Sequence, residues 1–567
     1  MRLPTPVLAA VSLVLFGFST VVRAADATPA GDAETAPAAK RGELLYLANC
    51  SMCHQVNGVG TPGTYPPLAG SDWLAANRSG AIRAVVAGLN TEITVNARKY
   101  LGQMPAIMLS DEQAADTLTY VLHAWGNRGT RVTAAEAGAV RATTGFKTFE
   151  ALKAAGDFAP LPAAPAGFTI SELARVPDFS TRLASDGKGK RLYVLGSGGS
   201  VWRLDVETRV FKQILWPADF VGLKPGPFQT LGLTLDAQGR MWITVNQRVE
   251  ATPRGMNDGA IFRTSAKDAE GDPIAPKVWF RTSYPYGIGP YTHGISQISF
   301  GRDGLLYVSS GSRTDAGEQG TVANLSKQGE VDITAVMWRM DPKANDPKIE
   351  IIARGIRNAY SFNWDGAGNL FTVANGPDAH APEEMDFIVP PKAGEPPRHH
   401  GFPYQFGDAP ADHKWYAHTP VPPAPANTPF VPPVLNLGQA GIMYGKPTST
   451  FNAHSSPTGL TWLGNDWPES VRNAFLVGRL GSFLAGPAEG EEHGFDILHM
   501  KMERRADGGW AARTTTFLAP LGRPIDIHLA GPGKLYVLEY TRPTTLKGGI
   551  GWLPGRILEL AVKKPAR

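Results

Sequence analysis

The sequence predicts a multidomain chain, a small all-α domain followed by an all-β six-bladed propeller. Three observations carry this. Helical amphipathic patterns are confined to residues 41 to about 128, and short strand–turn–strand units recur from 168 to 563, spaced tens of residues apart. Between them lies Ala159-Pro160-Leu161-Pro162-Ala163-Ala164-Pro165-Ala166-Gly167, the composition of a stiff spacer. At 567 residues the chain is too long for one ordinary core, and its 63 Gly and 47 Pro suit a turn-rich β fold.

The elements follow in order. Arg2, the apolar stretch Val7 to Val22 and the small residues around Val22-Arg23-Ala24 predict a signal peptide over 1–24 and hence a periplasmic protein. That stretch is short for a bilayer span, which needs about 20 apolar residues, and no later segment qualifies, so no stable membrane span is expected. Residues 25–40 are Ala-rich without periodicity and read as a flexible lead-in. A helix is expected from Arg41 through Ala48, another from Ser79 to Gly88 with Ile82, Val85 and Val86 on one side. A third begins at Ser110, an N-cap whose capping box Gln113 completes, and runs on through Leu122 to Trp125. Residues 129–167 read as a linker that includes a helical stretch.

The β units then begin with Arg191-Leu192-Tyr193-Val194. They continue through pairs such as Leu231 to Asp236 with Arg240 to Ile243, and Gly304 to Val308 after Ile298-Ser299-Phe300. Several close on a further strand of the kind Val201-Trp202-Arg203-Leu204-Asp205 or Met337-Trp338-Arg339-Met340-Asp341. Six hairpins of one kind mean a propeller over 168–563. A net charge of +4 with no basic run gives no reason to expect a nucleic-acid partner.

The chain holds two cysteines, Cys50 and Cys53, in Cys50-Ser51-Met52-Cys53-His54. CxxCH in an exported protein is the attachment signature of c-type haem. The two thiols add to the haem vinyl groups, and His54 is carried beneath the ring to the iron. A thioredoxin-like redox pair is the competing reading of the same residues. The helix before CSMCH, the turn Gly58-Val59-Gly60, Pro66-Pro67-Leu68-Ala69-Gly70 and Gly102-Gln103-Met104-Pro105-Ala106 together resemble the class I cytochrome c domain over residues 41–128. The resemblance implies Met104 as second iron ligand, with Met108 as its rival; a thioether ligand raises the haem potential.

The propeller resembles the soluble pyrroloquinoline-quinone (PQQ) sugar dehydrogenases, the glucose/sorbosone dehydrogenase family. The likeness lies in His293-Gly294 through Tyr307-Val308, in Gly355-Ile356-Arg357-Asn358-Ala359-Tyr360, and in Asn375-Gly376-Pro377 through Glu383-Glu384-Met385-Asp386 to His400-Gly401-Phe402-Pro403. It implies His293 as catalytic base, at a pKa near its unperturbed value, and Arg357 and Asn358 as PQQ contacts. It also implies Gly376 and Pro377 as carbonyl ligands of Ca²⁺. Gln229 and Arg523 resemble further PQQ-pocket residues, and Arg479 stands near the place of a lysine that holds the quinone. Ser312 departs from the pattern, standing where the family often has Asp.

The reading is a quinohaemoprotein that oxidises a sugar, aldehyde or alcohol with PQQ and Ca²⁺. Electrons pass to one fused haem c and on to an acceptor in the respiratory chain. Two alternatives stand beside it. One is a nitrite-reductase-like enzyme, whose propeller has eight blades and holds a second haem; the other is an electron-transfer cytochrome on a degenerate, non-catalytic docking propeller.

Overall fold

The computed structural model describes residues 34–55, 57–60, 65–89, 91–100, 104, 107, 109–144, 160–249, 255–285, 293–317, 329–377, 381–407, 409–410, 424–443, 446–447, 449–481, 493–541 and 554–563. The expected signal peptide lies outside them, as do Met108 and the side chain of Cys53. Among the described residues no helix is long and apolar enough to cross a membrane.

The N-terminal domain is helical. Thr35–Asn49 packs against Asp111–His123, and the haem-motif turn Ser51–His54 follows the first of these directly. Arg78–Ala87 turns Ile82, Val85 and Val86 into a core shared with Tyr46, Leu118, Val121 and Leu122. The capping box at Ser110 is present: Gln113 N–H donates to Ser110 Oγ (3.1 Å) and Ser110 N–H to Gln113 Oε1 (3.0 Å).

Two boundaries differ from those expected. The first helix starts at Thr35, inside the stretch read as a lead-in. Ala134–Ala142, inside the stretch read as linker, belongs to the helical domain. It buries Ala137 in that core, and Arg141 reaches back to Asp111 at 2.7 Å and to the Leu109 carbonyl at 2.8 Å. The Ala-rich composition hid the first, because Ala carries no hydrophobic periodicity yet is the best helix former.

Among the described residues the C-terminal domain is a ring of six sheets, antiparallel except for a short parallel edge pairing in blades 3 and 5. Their inner strands are Ser180–Ser185, Gln229–Leu235, Ile295–Phe300, Ala359–Trp364, Pro457–Leu463 and Pro524–Gly531, for blades 1 to 6. Each inner strand packs on the next, and the sixth packs on the first. Six blades among the described residues, not eight, argue against the nitrite-reductase-like architecture. In blades 1 to 4 an Asp side chain caps the turn between the first two strands. Asp186, Asp236, Asp303 and Asp365 each accept a backbone N–H two residues on, at 2.9–3.1 Å, the side-chain turn that Asp favours.

Blade 6 is closed by the strand that opens the propeller, since Phe168–Arg175 pairs with Arg556–Val562. This joins the two ends of the domain, and a buried cluster fastens them. Arg556 Nε donates to Glu539 Oε2 (2.8 Å) and Nη1 to Glu172 Oε2 (3.2 Å). Arg556→Met leaves Glu539 buried without its counter-charge, which typically costs about 3–5 kcal/mol. The urea midpoint of the propeller transition is expected to fall accordingly; an unchanged midpoint contradicts this role.

Candidate functional site

The haem motif is built by the helical domain. Cys50 and His54 are buried, and His54 Nδ1 lies 3.0 Å from the Pro66 carbonyl. A ring whose Nδ1–H donates to a carbonyl keeps its Nε2 lone pair for a metal. Burial lowers the His54 pKa, favouring the neutral form that ligates. Met104 is partly buried against the core of the helical domain, as are Leu68 and Ile107. Its N–H and C=O both bond Leu89 at 2.8 Å, which straps it to the end of Arg78–Ala87. An imidazole nitrogen and a thioether sulfur are the donor set of a low-spin haem iron, so these residues fit haem c.

The candidate residues of the propeller gather at one end of the ring. Arg357 with Asn358, and Arg523, immediately precede the inner strands of blades 4 and 6, His293 lies two residues before that of blade 3, and Gln229 begins that of blade 2. Gly376 and Pro377 follow the second strand of blade 4, and Arg479 ends that of blade 5. First and second strands are antiparallel, so the start of one lies beside the end of the other, and all these residues occupy the same rim.

Three of them form one network. His293 N–H donates to the Ser312 carbonyl (2.9 Å), and Nδ1 lies 3.1 Å from that carbonyl and 3.2 Å from Ser312 Oγ. Ser312 N–H in turn donates to the Arg357 carbonyl at 2.6 Å. The Nδ1–H tautomer follows, leaving Nε2 as a base. Gly311 is required here, because a Cβ would lie 2.4 Å from His293 Cβ. Ser312, a departure from the family pattern, is therefore the residue that orients His293.

The expected pKa does not hold. Burial, and then the positive Arg357, push the His293 imidazole down to about 3 from 6.5. A depressed imidazole pKa means protonation only at lower pH, so His293 stays neutral and able to take a proton well below 6.5. The acid limb of kcat/KM is expected below pH 6.5; a limb at or above 6.5 contradicts His293 as the base.

Arg357 is engaged from within. Nε donates to the Asp315 carbonyl (2.7 Å), Nη2 to Asp315 Oδ1 (2.6 Å) and Nη1 to the Asn375 carbonyl (3.1 Å). Asn358 Nδ2 donates to Asn375 Oδ1 (3.1 Å), while Asn358 Oδ1 is buried with no hydrogen-bond partner among the described residues. Gly376 lets two carbonyl-bearing segments close up: a Cβ there would come 2.8 Å from the Pro382 oxygen. Glu383 is buried, accepts from Ser455 Oγ (3.0 Å), and is pushed up to about 8 by burial against the opposing charges of Arg357 and Arg479.

The remaining candidates stand apart from this network. Arg479 forms a bidentate ion pair with Asp496, at 2.8 and 2.6 Å, which answers its charge structurally. Arg523 Nη1 donates to the Gly481 carbonyl (3.1 Å), and its guanidinium sits 4.8 Å over the Phe495 ring. Gln229 is exposed, its backbone paired with Asn246.

Sequence reasoning missed Asp315, Asn375, Glu383 and Ser455 as site residues. Asn375 and Glu383 lie inside stretches whose pattern was noted, so position could have found them. Asp315 carried no motif.

The rim fits an anionic quinone on two counts. Arg523 adds a buried guanidinium there beyond Arg357 and Arg479, whose charges Asp315 and Asp496 answer, and Asn358 Oδ1 is an acceptor awaiting a donor. The carbonyl-rich turn at Gly376 is of the oxygen-donor kind a hard cation takes.

Residues 39–125 match the Cytochrome c family model. Cytochrome c-552 of Thermus thermophilus is 41% identical over 91 residues, 15% of this chain and 69% of that protein. The cytochrome c subunit of alcohol dehydrogenase (quinone) from Gluconobacter oxydans is 32% identical over 88 residues, 15% of this chain and only 18% of that protein. The PQQ-bound form of aldose sugar dehydrogenase from Streptomyces coelicolor superposes on 71% of this chain and 100% of its own, at 20% identity and a TM-score of 0.47.

Proposed function

Since the chain belongs, through residues 39–125, to the cytochrome c family, we propose that it is a quinohaemoprotein dehydrogenase oxidising a sugar, aldehyde or alcohol. On this reading it works in the periplasm and passes electrons from its haem domain to a respiratory acceptor. The observation that carries the reading is the network in which Ser312 ties the His293 ring to the Arg357 backbone at the rim.

In this reading Arg357, Asn358, Gln229 and Arg523 hold PQQ, and the Gly376 and Pro377 carbonyls hold Ca²⁺. PQQ, when bound, supplies a two-electron acceptor for the hydride of the substrate carbon. His293 Nε2 takes the hydroxyl proton, with Ser312 fixing the tautomer. Asp315 keeps the Arg357 fork in place, and burial, with the guanidinium charge beside it, keeps His293 unprotonated. Cys50 and Cys53 hold haem c, and His54 and Met104 its iron. Fusion of the haem domain removes the need for a diffusing first acceptor.

The docking-platform reading keeps one observation in its favour: the Arg357 fork is already occupied by Asp315 and Asn375. A titration separates the two. The haem-loaded chain should bind one PQQ with Ca²⁺ present, read by quenching of protein fluorescence, and Arg357→Ala should weaken that binding so that excess PQQ partly rescues turnover. Absence of PQQ binding under Ca²⁺ favours the platform.

A further inference from the structure

The haem domain touches the propeller at a place that neither domain's own chemistry explains. Gln55, the residue after His54, adopts φ 65° and ψ 158°, a strained conformation nearly confined to glycine. Two bonds hold it there. Tyr46 Oη donates to its carbonyl at 2.5 Å from within the haem domain, and Arg248 Nη2 donates to its Oε1 at 2.8 Å from the propeller.

Arg248 is near the end of Met241–Val249, the second strand of blade 2, and so at the rim that carries the candidate site. Two residues before it, Asn246 clasps the backbone beside His293: its Oδ1 accepts from Ile295 N–H (2.8 Å) and its Nδ2 donates to the Ile295 carbonyl (2.7 Å). Between them Gln247 ties down the loop before blade 2, accepting from Lys224 N–H (2.9 Å) and donating to the Lys224 carbonyl (2.7 Å). A continuous run of peptide and hydrogen bonds therefore joins His54, through Gln55, Arg248 and Asn246, to Ile295, Gly294 and His293.

We infer that the Arg248–Gln55 contact docks the haem-motif end of the cytochrome domain on the catalytic rim and sets the geometry for electron passage between the two domains. Arg248 is a positioning residue; it touches neither substrate nor iron. The inference rests on the dehydrogenase reading for the direction of flow. Each oxidation delivers two electrons, the haem domain accepts them singly as Fe(III) becomes Fe(II), and an external one-electron acceptor such as ferricyanide takes them in turn. A residue held from both domains is suited to this task, because loss of the Arg248 bond releases the docked pose while Tyr46 still holds the turn beside His54.

The test uses Arg248→Glu in the full holoprotein. Substrate-driven haem reduction in stopped flow should slow by roughly tenfold or more, a part of the advantage that a fixed neighbour holds over a loosely tethered one. Substrate oxidation coupled to a small phenazine dye that draws electrons at the propeller should be unchanged, as should the haem spectrum and potential. The radius of gyration from small-angle X-ray scattering should rise, and Gln55→Lys added to Arg248→Glu should restore both the scattering and the rate. An Arg248→Glu protein with native scattering and a native haem-reduction rate overturns the inference. If the wild-type chain shows no substrate-driven reduction, the dehydrogenase reading fails, and scattering alone then decides the contact: a rise that the double variant reverses supports it, and no rise overturns it.

Discussion

His293→Gln is expected to keep haem and PQQ but to slow substrate-driven haem reduction by about 10²- to 10⁴-fold, the usual cost of removing a general base. The size follows from the geometry. Nδ1 is committed to Ser312, so Nε2 is the only ring nitrogen left to take a proton. Glutamine preserves a hydrogen bond to Ser312 but offers no basic lone pair. Ser312→Ala should fall between, because the imidazole survives while Ser312 Oγ, one of its two anchors, is lost. Stopped-flow absorbance of the reduced haem band measures the effect. A His293→Gln protein that reduces its haem at the native rate removes His293 from the chemistry; one that loses PQQ as well shows a holding role instead.

Met104→Ala is expected to abolish the ferric methionine-to-iron absorption band and to lower the haem potential, because a thioether favours Fe(II). With the potential lowered, the haem becomes a poorer acceptor, so electrons should accumulate at the propeller and dye-linked activity should outrun haem-linked activity. The structure supports Met104 by strapping its backbone to Leu89 and packing it on the haem-domain core. Met104→His should retain two axial ligands but still lose the band. If Met108→Ala removes the band and Met104→Ala does not, the ligand assignment is wrong.

How far the sequence could be read depended on the kind of signal. The strand units were legible because apolar runs such as Leu192-Tyr193-Val194-Leu195 and Leu306-Tyr307-Val308 alternate with Asp- and Gly-marked turns, and the structure buries those runs. The helix Asp111–His123 was legible from its cap. Ala134–Ala142 was not assigned to its domain, since what fixes it there is the contact of Arg141 with Asp111 across 30 positions of sequence. The same holds at the rim. His293 and Arg357 were found by pattern, but the partner of Arg357 is Asp315, 42 residues away on another blade, and long-range pairing leaves no local trace. The His293 pKa was misjudged for the same reason, because burial and the Arg357 charge arise only once blades 3 and 4 are side by side. Blade 4 adds a last case: among the described residues it has three strands, and Arg398–His399 pairs with blade 3 instead, a crossing that no periodicity reveals.

The measurement that bears most directly on the account is anaerobic mixing of the haem-loaded chain with a panel of sugars, alcohols and aldehydes, with and without PQQ and Ca²⁺, while the haem spectrum is followed. At least one substrate is expected to reduce the haem of this chain rapidly when both are present, and none in the absence of PQQ. Haem reduction that proceeds equally without PQQ, or a haem that stays oxidised with every substrate despite bound PQQ, would contradict it.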